Sequence, residues 1–135
     1  MSFTIFVNRF RDEKPAYFSA KELRRRFGPA VNGRARGASV LGFEEGKAWT
    51  TVDIPDGGVV DGFSIRNPVD YLEFWSIIAG FLKDLDCVLY WPGGGAVIGS
   101  LDLLPHLPKD FVESMGIPWV STDPKRIRQY VWDHS

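Results

Sequence analysis

Residues 68–85 read PVDYLEFWSIIAGFLKDL and make up the longest apolar region of the chain. Asn67 can cap a helix here, and Pro68 at the first helical position gives up only an N–H that has no partner in the helix. The polar positions and Gly80 fall on one narrow stripe at helical spacing, namely Asp70, Glu73, Ser76 and Lys83. A helix that is apolar on most of its circumference packs inside a protein. The segment therefore predicts a buried central helix over residues 68–85.

Extended segments surround this helix in the sequence. Residues 3–7 (FTIFV) near the start and 87–91 (CVLYW) directly after the helix are rich in the β-branched and aromatic residues that strands favour. The turn composition of residues 32–37 (NGRARG) predicts an exposed loop. Residues 40–43 and 49–54 are expected to pair as a hairpin. Shorter extended segments are expected at 59–60, 63–65, 96–98 and 119–120.

Shorter helices complete the pattern. Ser19 opens a capping box, and the helix that it starts should end before Gly28. Another helix is predicted at 109–115, and the last begins at Asp123. This order of elements resembles a split βαβ, ferredoxin-like core with a mainly antiparallel sheet and additional C-terminal helices. Residues 1–135 are expected to form a single α+β domain.

The composition is that of a globular domain without a strong charge. Hydrophobic residues make up 44% of the 135 residues, and 16 basic against 17 acidic residues give a net charge of −1. Such a chain is too apolar for intrinsic disorder. It also lacks the basic excess of a nucleic-acid binder, because contacts of Lys and Arg with phosphates supply most of that affinity.

The cellular compartment follows from signals that the sequence lacks. Cys87 is the single cysteine, so the chain cannot carry the disulfide framework of a secreted domain. The opening MSFTIFVNRF does not have the pattern of a signal peptide. The apolar region 69–85 is too short and too charged to span a bilayer. We therefore expect a cytoplasmic protein without membrane association.

The glycine triplet Gly93, Gly94 and Gly95 could bring backbone N–H groups close to a phosphate. A phosphate-binding loop needs Lys and Ser or Thr after its glycines, and a dinucleotide site needs a helix. The chain continues instead with AVI at 96–98, which predicts a strand. The triplet is therefore interpreted as a hairpin turn, and no cofactor is expected.

Cys87 and the two histidines are the other residues of catalytic type. Cys87 begins an apolar strand, where a free cysteine behaves as a small buried hydrophobe. His134 lies next to the C-terminus, and no third residue stands out to orient His106. The three residues do not have the spacing of zinc ligands. The pattern favours a non-enzymatic domain, with a small-ligand or enzymatic pocket near residues 91–95 and His106 as the alternative.

Five arginines form the one local concentration of positive charge: Arg24, Arg25, Arg26, Arg34 and Arg36. They could dock a phosphate or an acidic partner protein. Cations near the C-terminus of a helix are also favourable against its dipole, without any partner. Nucleic-acid binding through residues 24–36 is therefore a third hypothesis.

The aromatic residues, 14% of the chain, leave two roles open. Most of them are expected in the core, because aromatic side chains contribute large buried areas. A few exposed Trp or Tyr residues would instead mark a protein-binding surface, since such residues dominate interface energetics. The aromatic residues of the loops and the last third of the chain are Tyr17, Phe18, Trp49, Tyr90, Trp91, Trp119, Tyr130 and Trp132.

Residues 88–95 (VLYWPGGG) and 106–118 (HLPKDFVESMGIP), together with 3–7, resemble small bacterial proteins that include immunity partners of toxin systems. The resemblance implies a protein-binding role and carries no catalytic residues. Together with the missing catalytic constellation, it favours a non-enzymatic protein-binding domain of an immunity-like or accessory kind, with an unidentified protein partner and a homodimer as a compatible state. The residues expected to contact a partner are Arg24, Arg25, Arg26, Trp91, Gly93, Gly94, His106 and Trp119.

Overall fold

The computed structural model describes residues 3–35, 38–43 and 47–135. The strands are β1 (Thr4–Arg11), β2 (Lys14–Pro15), β3 (Phe18–Ser19), β4 (Val31–Ala35), β5 (Ala38–Phe43), β6 (Ala48–Val52), β7 (Val59–Val60), β8 (Gly62–Arg66), β9 (Cys87–Trp91), β10 (Gly95–Ile98) and β11 (Trp119–Val120). The helices are α1 (Ala20–Phe27), α2 (Leu72–Asp84), α3 (Lys109–Met115) and α4 (Pro124–His134), with 3-10 segments at Gly28–Ala30 and Leu101–His106. The chain is therefore a mixed α+β protein.

The main sheet has the strand order β8, β1, β9, β10, β11. Neighbouring strands are antiparallel except for β10 and β11, which are parallel. The strand β1 lies between β8 and β9, and Ile5 and Val7 on one of its faces are fully buried. The predicted strands near residues 3–7, 87–91 and 96–98 are confirmed as members of one sheet.

One split βαβ unit is present, because α2 connects the parallel strands β8 and β9 with β1 between them. The next connection between two parallel strands has no other strand between them. It joins the adjacent strands β10 and β11 through the 3-10 segment Leu101–His106 and α3, which pack on the other face of the sheet. The antiparallel character of the predicted sheet is confirmed, whereas the complete ferredoxin-like core is not.

The first face of the sheet carries the main hydrophobic core. It is covered by α1, α2 and α4, with Trp75 and Ile78 of α2 and Ile127 of α4 fully buried. The helix α2 begins at Leu72, so the predicted start at Pro68 is wrong by four residues. The reason is local: Asn67 adopts a positive φ of 55° and its N–H donates to the carbonyl of Phe3, so Asn67 belongs to the end of β8 and does not cap the helix.

The second face of the sheet carries a smaller core. The side chains of Val88, Ala96 and Ile98 point to this face and contact Leu103 and Leu107. The helix α3, which was predicted over its observed range, closes this layer. The sheet is therefore covered by helices on both faces.

A second, three-stranded sheet of β4, β5 and β6 lies beside the edge of the main sheet, where Thr50 Oγ1 donates to the carbonyl of Arg66 over 3.0 Å. The predicted hairpin of 40–43 with 49–54 is confirmed as β5 and β6, although its turn, 44–46, lies outside the described residues. Residues 32–35 of the predicted loop belong to strand β4, and 36–37 lie outside the described residues. None of the described helices has the length and apolar composition needed to cross a membrane.

Candidate functional site

Arg24, the first of the predicted partner-binding arginines, forms hydrogen bonds within the chain. Its guanidinium donates to the backbone carbonyls of Pro55 (2.9 Å) and Asp56 and thereby ties the end of α1 to the loop before β7. The Asp56 carboxylate also lies 3.7 Å from Arg34. Both arginines therefore meet acceptors within the chain, which leaves less positive charge for an external phosphate.

Arg25 and Arg26 share one acceptor, the Glu22 carboxylate, at 2.6 and 3.1 Å. Hydrogen bonding to Arg25 is the main reason that the pKa of Glu22 lies below its usual value. Arg26 also reaches Asp84 of α2 over 3.0 Å and lies over the Phe81 ring. Glu22 therefore pairs along the helix, whereas Ser19 performs the predicted capping by accepting from the backbone of Lys21.

Trp91 is a core residue with only 1% of its surface exposed. Its indole Nε1 donates to the carbonyl of His134 over 3.1 Å, and its ring stacks parallel to Trp119 with a centroid distance of 6.2 Å. Trp119 stacks in turn on Tyr130 at 5.0 Å. Of the two predicted contact residues, Trp91 is thus inaccessible to a partner and Trp119 is partly covered.

The glycine triplet serves this tryptophan packing. A Cβ on Gly94 would overlap the indole of Trp91, and one on Gly95 would lie 2.6 Å from Trp119. Gly93 has a φ of 75°, a conformation that glycine adopts readily. The predicted hairpin turn between β9 and β10 is confirmed, and the small size of Gly94 and Gly95 is explained by the two tryptophan rings.

His106 accepts two hydrogen bonds from the turn that joins β1 and β2. Its Nδ1 accepts from the N–H of Asp12 over 3.1 Å, and its backbone carbonyl accepts from the N–H of Glu13 over 3.0 Å. Asp12 and Glu13 have φ values of 52° and 66°, the pattern of a type I′ turn, which side chains other than glycine and asparagine adopt at a cost. The two bonds from His106 offset part of that cost.

The structure separates the two parts of the alternative pocket. Trp91 lies one residue beyond the Phe6–Tyr90 pair at one end of β1, whereas His106 contacts Asp12 beyond the other end. An extended strand from Phe6 to Asp12 spans roughly 20 Å. Residues 91–95 and His106 therefore do not line one site.

A polar cavity of about 230 Å³ does exist beside His106. It brings together cationic and anionic side chains from β1, from the turn before β9 and from the 3-10 segment. Its lining residues are Arg9, Phe10, Arg11, Asp86, Ser100, Asp102, Leu103 and His106.

Cys87 is fully buried, as predicted for a cysteine in an apolar strand. Burial raises the pKa of its thiol to about 12, and Sγ lies 3.7 Å from the carbonyl of Leu85 as a weak donor. A thiol in this state is a poor nucleophile. Within residues 3–35, 38–43 and 47–135, no three His, Cys, Asp or Glu side chains are grouped as metal ligands.

An open apolar groove was not predicted from the sequence. A groove of about 460 Å³ lies between the 3-10 segment Leu101–His106 and α3, and we call it the α3 groove. Ile117 at its edge is 81% exposed. Its apolar lining consists of Leu104, Pro105, Leu107, Val112 and Ile117.

Three charged side chains surround the α3 groove. Glu13 comes from the turn between β1 and β2, whereas Lys109 and Glu113 come from α3. Their side chains make no hydrogen bond or ion pair with the described part of the chain, and Lys109 and Glu113 do not pair although they are four residues apart. These charges differ in this respect from Arg24, Arg25 and Arg26.

No family model, no curated protein and no solved structure matches this chain. The resemblance to immunity partners of toxin systems therefore stays a prediction.

Proposed function

We propose that this chain is a non-enzymatic protein-binding domain and that its partner docks on the α3 groove. The observation that carries the proposal is an open apolar groove ringed by charges without partners in the described chain. A protein interface has the same composition, with an apolar centre and a polar rim. Exposed apolar surface rimmed by polar residues is also the kind of surface that marks binding sites.

The residues of catalytic type support a binding role in preference to chemistry. Cys87 is buried with a raised pKa, and His106 uses both its ring and its carbonyl to hold a turn. Trp91, Gly94 and Gly95 serve packing. Each of these features has a structural role, whereas the α3 groove is accessible.

Within this class, we place the chain among immunity-like or accessory proteins of bacterial toxin systems. The support is the resemblance carried by residues 88–95 and 106–118, and the second of these segments contains most of the α3 groove. An immunity protein acts by covering its toxin, which requires a binding surface and no catalytic centre. A ferredoxin-like relationship, which the split βαβ unit around β1 favours, would not alter this proposal because that fold hosts many functions.

A paired substitution tests the proposal. Ile117→Asp places a charge in the α3 groove, and Val59→Asp places one on the exposed strand β7, far along the chain from the groove. The full chain and both variants are used as bait for the product of the neighbouring gene. We expect Val59→Asp to retain that protein and Ile117→Asp to lose it, and the wild-type chain to restore growth of cells that express it. Equal capture by both variants would place the interface elsewhere.

A second candidate function is the binding of a small polar ligand beside His106, for which the 230 Å³ cavity is the specific observation. The cavity contains both arginines and aspartates, so it suits a ligand that carries both charges. Nuclear magnetic resonance titration with amino acids tests this candidate. Saturable shifts of the His106 resonance would support it, whereas unchanged spectra at millimolar ligand would exclude that ligand class.

A further inference from the structure

Resting on the proposed function, we infer that the partner presents an apolar side chain to the α3 groove with a Lys or Arg beside it. The apolar part follows from the lining of the groove. Leu104 belongs to the 3-10 segment, Val112 to α3 and Leu107 to the turn between them, and the groove that they help to line has a volume of about 460 Å³. Filling such a space with apolar atoms removes their surface from water, which favours binding.

The basic part follows from the rim. Glu13 and Glu113 approach the groove from different elements, and each lacks a cation within the described chain. Lys109 is the one cation on the rim, so the rim carries an excess of one negative charge. Asp110, an exposed acid that follows Lys109 on α3, adds to that excess. A partner with a cation beside its apolar side chain is therefore electrostatically complementary.

Some acids elsewhere in the described chain already have a cation as partner. Glu22 and Asp84 are bonded to arginines of the same chain, and so is Asp70 through Arg128. Acids with an intramolecular partner gain little from a second cation. The acids of the groove rim have no such partner, so a cation of the partner gains a new ion pair there.

Selection from a random peptide library tests the inference with the whole chain as target. A library of 12-residue peptides displayed on phage is enriched on the wild-type protein, and one selected peptide is then measured by fluorescence anisotropy. We expect enriched peptides to combine an aliphatic or aromatic residue with Lys or Arg. Affinity should fall between 50 and 500 mM salt, because rim charges are screened.

Matched variants separate the inference from the proposed function. Glu113→Lys should weaken the selected peptide about tenfold, which corresponds to about 1.4 kcal/mol. Asp53→Lys makes the same change of charge at an exposed position outside the groove and should leave affinity within twofold. Because Glu113 lies near the C-terminus of α3, lysine there is compatible with the helix dipole.

Peptides without basic residues that are still lost on Ile117→Asp would overturn the inferred partner chemistry and leave the proposed function standing. Failure to enrich any peptide, or binding unaffected by Ile117→Asp, would overturn both. A dimer in light scattering that Ile117→Asp dissociates would identify a second copy as the occupant and would also overturn the inferred chemistry.

Discussion

Trp91 donates its indole N–H to the backbone carbonyl of His134 and so ties strand β9 to the end of helix α4. Trp75, a second fully buried tryptophan, has no partner for its Nε1 within the described chain. Both tryptophans are buried, but only the indole N–H of Trp91 has a hydrogen-bond acceptor within the described chain. They form a natural pair for measuring what the bond contributes.

Trp91→Phe should destabilise the protein by about 1 kcal/mol more than Trp75→Phe. Both changes remove a similar volume, but only the first removes a hydrogen bond, whose net contribution is about 1 kcal/mol. The second removes a buried donor that had no acceptor. Urea unfolding followed by circular dichroism gives both free energies of unfolding, and a larger loss for Trp75→Phe would contradict this account.

Gly94→Ala should cost about 2 kcal/mol or more, because the added methyl group would overlap the Trp91 indole in a packed core. Gly57→Ala is the control. A Cβ at Gly57 meets nothing within 4 Å, so this variant should be neutral or slightly stabilising through its unfolded state. Thermal unfolding of the two variants measures the difference. Similar melting temperatures would show that the turn shifts freely.

The Cys87 thiol should resist alkylation by iodoacetamide at pH 8 in the native protein and react after unfolding in urea. The folded protein holds the thiol proton more tightly than the unfolded chain, with a pKa of about 12 against 9.0. The stability from this group is therefore complete below pH 9 and decreases as the pH rises toward 12. Cys87→Ala should show a shallower loss of unfolding free energy over that range. Rapid alkylation of the native protein would contradict the buried placement.

Arg26→Ala should lower the melting temperature clearly more than Arg25→Ala. Arg26 is mostly buried, joins α1 to Asp84 of α2 and covers the Phe81 ring, so its removal should cost about 1 kcal/mol. Arg25 forms one exposed pair with Glu22, and exposed pairs contribute little. Equal shifts would indicate that the bridge to α2 is unimportant. Steeply salt-dependent nucleic-acid binding lost in both variants would revive the nucleic-acid hypothesis.

Local signals in the sequence predicted much of the fold. The capping residues Ser19 and Asp123 mark two helix starts correctly, because capping depends on neighbours a few residues away. The start of α2 was missed because Asn67 is held by Phe3, a residue distant in the sequence. The pairings of β1 with β8 and β9 were missed for the same kind of reason, and the 3-10 segment Leu101–His106 was not predicted.

The α3 groove was beyond sequence reasoning for a related cause. Its rim joins Glu13 to Glu113, residues that only the folded chain brings together. Conversely, the predicted contact residues Trp91 and Gly94 stand out in the sequence because packing constrains them strongly. Conspicuous residues therefore indicated the core, whereas the candidate interface consists of ordinary aliphatic and acidic side chains.

The central place of β1 has a consequence for synthesis. Besides the short strand β2, its neighbours in the sheet are β8 and β9, which begin at Gly62 and Cys87. One edge of β1 therefore lacks its main partner until β8 has left the ribosome, and the other until β9 has. Translation from Arg9 to its partner Cys87 takes roughly 4–16 s at about 5–20 residues per second. During that interval the nascent chain displays β1 with at least one open edge, and an open strand edge is a template for aggregation. Production of this protein should therefore depend on chaperones that shield the first strand during translation.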